Sequence, residues 1–139
     1  MTDSLAFEVE LNQPYEAAMD SVVAALKSEG FGVLTKIDVP ATFKEKLGVE
    51  FRPYAILGTC NPPLAHRALA HDGRAGLMLP CTVTVEAADD ESSIVRIVDP
   101  AGMLLVSGMD QDPVLSEIAG EARSRLRRVA LALMGDSDR

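Results

Sequence analysis

Tryptophan is absent from this 139-residue chain, and the other aromatics amount to four Phe and two Tyr. An aromatic core is excluded, so Val, Leu, Ile, Ala and Met must fill the interior. Long apolar runs are missing too. None approaches the roughly 18–20 residues needed to cross a bilayer as a helix, and no membrane association is expected. Basic residues are lacking at the start, where Asp3, Glu8 and Glu10 stand instead, the reverse of a secretion signal. Cysteine is limited to Cys60 and Cys81. Two thiols without a signal segment read as reduced cysteines in the cytoplasm, not as a disulfide framework.

What is present suffices for one domain over residues 1–139. With 47% hydrophobic residues the chain can bury a single core. A formal net charge of −8 argues against nucleic-acid binding, which requires a basic footprint. The charge is unevenly spread. Residues 36–74 hold six basic side chains (Lys36, Lys44, Lys46, Arg52, Arg67, Arg74) against four acids, whereas the remainder holds 7 basic and 17 acidic residues. Such a segment could attract a small anion, or it could be ordinary surface mixing.

Periodicity supplies the elements. Alternation at Leu5, Phe7, Val9 and Leu11 predicts a half-buried strand. Asn12-Gln13-Pro14 then opens a helix, with a polar cap and proline at the first helical position. Tyr15, Ala18, Met19, Val22, Val23 and Leu26 form its apolar stripe, and Gly30 ends it. Phe31, Val33, Ile37 and Val39 mark a second strand stopped by Pro40, and a short helix over 41–47 follows. Residues 51–60 form a third strand, apolar enough to suggest cover on both faces. A short helix over 62–70 precedes strands over 77–87 and 93–99, joined by an acidic turn at 88–92. Pro100-Ala101-Gly102 breaks the pattern before a short apolar piece. A long helix then starts at Asp112-Pro113, striped by Leu115, Ile118, Ala119, Ala122, Leu126, Val129, Ala130 and Leu133. A polar tail is expected from residue 135. The fold class is α+β: a two-layer sandwich with two long helices on one face of a mainly antiparallel sheet. A second copy of the chain is the simplest cover for the other face, so a homodimer is expected.

The stretch from Lys44 to Cys81 carries most of the reactive side chains. Cys60 sits where an apolar strand meets a helix, with Asn61 as cap and Pro62 at the first helical position. A helix N-terminus can favour a thiolate. Pro62 and Pro63, however, remove two of the N–H groups that would do so. Cys81 could pair with Cys60 as a dithiol, or both could be small buried hydrophobes. His66 and His71 are five apart, about 140° around a helix and so on different faces; a Cys60/Cys81/His66 zinc site is conceivable, but its spacing fits no familiar pattern. No glycine-rich phosphate loop, HExxH or GxSxG occurs. Asp89-Asp90-Glu91 reads as a hairpin tip, and Asp110 and Asp112 as turn and cap. Met103 and Met109 flank a loop and either fill the core or touch a hydrophobic ligand. No metal or cofactor is expected.

Phe43-Lys44-Glu45-Lys46-Leu47-Gly48, Phe51-Arg52-Pro53-Tyr54-Ala55-Ile56-Leu57-Gly58, Cys60-Asn61-Pro62 and Leu79-Pro80-Cys81, in this order, resemble the domain-of-unknown-function 302 family. The resemblance extends to Gly30-Phe31 and Asp99-Pro100. It implies a curved antiparallel sheet carrying two helices, similar to a TATA-binding-protein half or a helix-grip domain, and it implies dimers. It implies no activity. Thr59 stands where the family pattern has a small Ala, and Thr82 where Asn is frequent.

The leading expectation is a binding module for a small anionic or polar ligand. Lys44, Lys46 and Arg52 would attract the ligand, and Tyr54 and Asn61 would hydrogen-bond it beside the Cys60-Asn61-Pro62 turn. The rivals are a thiol redox or persulfide enzyme using Cys60 and Cys81, and a structural interaction protein with inert thiols.

Overall fold

The computed structural model describes residues 5–137. In chain order the elements are β1 (Ala6–Leu11), α1 (Tyr15–Ser28), β2 (Gly32–Asp38), α2 (Val39–Leu47), β3 (Tyr54–Cys60), α3 (Pro62–His71), β4 (Cys81–Ala87), β5 (Ser93–Val98), α4 (Pro100–Ser107) and α5 (Pro113–Ser137). Short 3-10 turns occupy Gly73–Met78 and Met109–Gln111. The strands form one antiparallel sheet in the order β1-β5-β4-β3-β2, and with the helices it makes the expected α+β two-layer sandwich.

The alternation read from the sequence explains which face is buried. Phe7 pairs with Ile97, Ile97 with Val83, and Val83 with Leu57, so one row of apolar side chains crosses four strands. All four are buried, and α1 and α5 lay their stripes against this face through residues such as Val22, Leu26, Leu126 and Leu133. The opposite face is mixed. Its neighbouring row runs Glu8, Arg96, Thr84, Ile56 and Ile37. The apolar third strand is thus covered by helices on the side of Ala55 and Leu57, while Tyr54 and Ile56 on the other side are half-buried.

That mixed face is crossed by a chain of ion pairs. Arg96 Nε reaches Glu8 at 2.7 Å, Arg96 also grips Glu86, and Arg52 Nε holds the second Glu86 oxygen at 2.7 Å. Glu86 is buried, and two guanidiniums replace the water that its carboxylate gives up.

Several boundaries differ from the sequence expectation for identifiable reasons. Pro14 is itself the N-cap of α1, with no side-chain cap bond of its own, so the helix starts one residue later than expected, at Tyr15. β2 ends at Asp38, whose side chain caps α2 by accepting from Ala41 N, and Pro40 lies inside the first turn of that helix instead of stopping a strand. β3 begins at Tyr54, because Phe51 leaves the sheet to pack edge-on against Phe43 at 5.2 Å. The strand expected from residue 77 starts only at Cys81, since Leu77 and Met78 belong to a 3-10 turn closed by Leu79 N donating to Gly76 O. The break expected at 100–102 is the first turn of α4, capped by Asp99, which accepts from Ala101 N at 3.0 Å. The polar tail expected at residues 135–139 is helical through Ser137, and residues 138–139 lie outside the described residues. Among the described residues no helix is long and apolar enough to cross a membrane.

Candidate functional site

The strand-to-helix turn at Cys60 is built as its residue types dictate. Asn61 is the N-cap of α3 in an extended conformation, and its side-chain oxygen accepts from Leu64 N at 3.3 Å. Its amide also donates to Glu29 O at 3.4 Å, where Arg125 donates as well at 3.2 Å. The start of α3 is therefore tied to the end of α1 and to α5. Gly30 follows with φ +84°, a conformation natural to glycine, and lets the chain turn beneath Asn61.

The register brings the two thiols close. Thr59 pairs with Cys81, which leaves Cys60 one residue further along β3, opposite Gly32. Thr59 Oγ1 donates to Cys81 O at 2.8 Å, so the residue that departs from the small Ala of the family pattern ties β3 to the first residue of β4. Both cysteines are free.

Both thiols line one cavity of about 90 Å³. Its walls come from many parts of the chain, among them the end of β3, the start of β4, α3 (Leu64, Ala65), the 3-10 turn (Met78), α4 (Met103) and α5 (Ile118, Ala119). The lining is almost wholly hydrocarbon and sulfur. Burial pushes the Cys81 thiol up to about 11, and the neighbouring Cys60 adds to the rise. Cys81 is consequently a neutral thiol near pH 7, which suits it to packing against an apolar group and not to attacking an electrophile.

The remaining expected site residues are elsewhere. Tyr54 opens β3 and Cys60 closes it, a separation of about 20 Å at the usual strand rise. Around Tyr54 gather the basic residues. The Arg52 guanidinium lies 4.5 Å from the Phe51 ring centroid and 5.8 Å from that of Tyr54. Lys44 on α2 pairs with Glu50, and Lys46 is exposed on the same helix. Lys44, Lys46, Arg52 and Tyr54 thus stand at one end of β3, and Asn61, Cys60 and Cys81 at the other. Other basic residues of the 36–74 segment are also matched by acids: Arg67 by Glu117 and Glu121, and Arg74 by Asp72 at 2.7 Å.

His66 is exposed and is not part of the cavity wall, and His71 meets Asp112 Oδ2 at 2.8 Å, joining the end of α3 to the N-cap of α5. That bond, together with backbone N–H groups of Leu115 and Val114, holds the Asp112 carboxyl below its ordinary value. Among the described residues no group of three or more His, Cys, Asp and Glu is placed to hold a metal ion. Met103, expected either to fill the core or to touch a hydrophobic ligand, does line the cavity, but the helix α4 that carries it and the middle of α5 were not anticipated as wall elements. For α4 the signal was available: Asp99-Pro100 repeats the cap-then-proline pattern of Asn61-Pro62 and Asp112-Pro113. The small residues Ala119 and Ala122 gave no signal, because a gap beside them depends on what packs opposite.

No functionally curated protein matches the chain. A solved structure, the crystal structure of an uncharacterized conserved protein DUF302 from Bacillus stearothermophilus, is similar with a TM-score of 0.79 and 30% identity, covering 92% of this chain and 97% of that one. The family described as domain of unknown function DUF302 matches residues 7–133. With the sheet order, the paired thiol strands and the capped α3 in place, the chain belongs to the DUF302 family.

Proposed function

We propose that the protein is a cytoplasmic small-molecule-binding module whose ligand places an apolar group in the cavity between β3, α3, α4 and α5. The observation that carries this reading is the cavity itself: about 90 Å³ of space walled by aliphatic side chains, two thiols and two thioethers. A well-packed interior seldom leaves such a gap, and a pocket that is mostly apolar with a few polar groups at its edge is the usual form of a ligand site. The hydrocarbon lining favours an apolar group at this position, with any anionic or polar part of the ligand directed outward. The basic cluster at Lys44, Lys46 and Arg52 is at the far end of β3 and is not required for this step.

Native mass spectrometry of protein taken directly from cells tests the reading. The wild type should carry a retained small molecule, and Ala119→Leu, which fills the cavity, should not. Equal retention by the folded variant would overturn it.

A second reading, thiol chemistry at Cys60 with Cys81 as its partner, is favoured by one observation: both thiols share the cavity. Only Cys60 is suited to act as the nucleophile, given the raised Cys81. Thiol-reagent kinetics on Cys60→Ser and Cys81→Ser test it, and two unreactive thiols in the native protein would remove it. We also propose that a second copy covers the mixed sheet face, where Ile37 of the edge strand is exposed. Light scattering after size exclusion should give twice the mass of the 14.8 kDa chain, and a monomer at high concentration would exclude it.

A further inference from the structure

The apolar wall of the cavity does not stop at its mouth. On α3, Ala65 lines the cavity, and Leu69, four residues on, is 46% exposed. On α4, Met103 lines it, and Val106, three residues on, is 78% exposed. In the 3-10 turn Met78 lines it, and the preceding Leu77 is 87% exposed. Residues three or four apart share a helix face, so α3 and α4 each continue the wall outward as uncovered hydrocarbon. Leu69 Cδ2 also lies 3.5 Å from where a β-carbon on Gly76 would stand, which sets the end of α3 against the 3-10 turn. Large aliphatic side chains left in water next to residues of the cavity wall forgo favourable burial, and exposed apolar surface adjoining a pocket marks a binding site.

The cavity is smaller than the engineered void of about 150 Å³ that holds benzene, so it accommodates about four carbons. One turn of helix beyond it adds about 5–6 Å of track, enough for about as many carbons again. From this continuity, and resting on the binding reading above, we infer that the ligand is a single aliphatic chain of about eight carbons, its end in the cavity and its next segment lying over Leu69, Leu77 and Val106. The chain class follows from shape. A compact apolar molecule would use the cavity and leave the track empty, whereas a flexible chain covers both.

A homologous series of normal alkanols from propanol to decanol, each below its solubility limit, tests this with the full-length protein by amide chemical-shift titration. Affinity should rise about fourfold for each added carbon, continuing past butanol to about octanol. A rise that stops at about butanol overturns the chain inference and leaves the cavity reading standing. Failure of every member, butanol included, removes the cavity reading and this inference with it. The exposed positions give a second test. Leu77→Asn with Val106→Asn should leave butanol affinity unchanged and reduce the octanol-to-butanol affinity ratio at least tenfold. An unchanged ratio overturns the proposed track.

Discussion

Asn61 occupies the space that a side chain at Gly30 would need: its Nδ2 lies 2.9 Å from the position of a β-carbon there. Gly30 also has φ +84°. Glycine is therefore required twice over, by backbone conformation and by the cap residue of a helix 31 positions later. The pairing explains why the Gly30-Phe31 and Cys60-Asn61-Pro62 segments belong to one structural unit.

Gly30→Ala should lower stability by about 2 kcal/mol, the left-handed conformation alone costing an L-residue about 1–2 kcal/mol. Asn61→Ala should cost about 1 kcal/mol through loss of the cap. Because the two touch, their effects should not add. Urea unfolding of the double variant should give a smaller loss than the two single losses together. Strict additivity would show that the contact carries no energy.

Gly58 is the second position where a β-carbon has no room. It would meet Thr35 Oγ1 and stand 2.8 Å from Pro80 Cγ. Thr35 can rotate away, but the Pro80 ring cannot, so Gly58→Ala should cost about 1–3 kcal/mol by overpacking. The same measurement on Gly73→Ala, which meets nothing within 4 Å, serves as the control and should change little.

The Glu86 carboxyl is pulled two ways. Burial raises its pKa, yet hydrogen bonds from Arg96 and Arg52, with their charges, outweigh it and leave the folded value below the ordinary 4.5. A depressed carboxylate contributes stability that is present above its unfolded value and is lost as pH falls through the folded one. Glu86→Gln should lower stability near pH 7, and its stability should fall less steeply than that of the wild type from pH 4.5 downward. Urea midpoints between pH 7 and pH 3 check this, and parallel acid profiles would refute it.

Cys81 titrates in the opposite sense. Burial is the larger cause of its rise to about 11, with Cys60 second. The unfolded thiol ionises first, so stability is full below about 9 and declines as pH rises from there toward 11. In Cys60→Ser, where burial remains, iodoacetamide labelling of Cys81 should be slow at pH 8. The rate should keep climbing to pH 10 without levelling near 9. A plateau near pH 8 would mean an exposed, acidic thiol.

Much of the architecture was readable along the chain because its causes act over a few residues. Alternation at Phe7, Val9 and Leu11 and the stripes of α1 and α5 mark buried faces through the geometry of strand and helix. Gly30 and Gly48 end helices with positive φ, and Asn61 and Asp112 begin them with side-chain caps. Other features yield to tertiary forces. Residues 77–79 have strand-like composition, yet Met78 is drawn out of the sheet to wall the cavity. Asp99 ends β5 and starts α4, and Arg123 of α5 completes it with a bond of 3.0 Å to its second oxygen, across 24 residues.

The opening shortage of aromatics bears on the same division. By itself the sequence determined that the core would be aliphatic, that the five strands and the two long helices would follow in this order, and that Cys60 would stand where a strand meets a helix. These follow from side-chain volume, periodicity and backbone chemistry, all local. Tertiary structure alone decided that the thiols share a cavity, that the basic residues stand at the other end of β3, and that small residues such as Ala119 border empty space. A cavity is a mismatch between surfaces supplied by segments distant in sequence, and no single segment contains the information that the others fail to fill it.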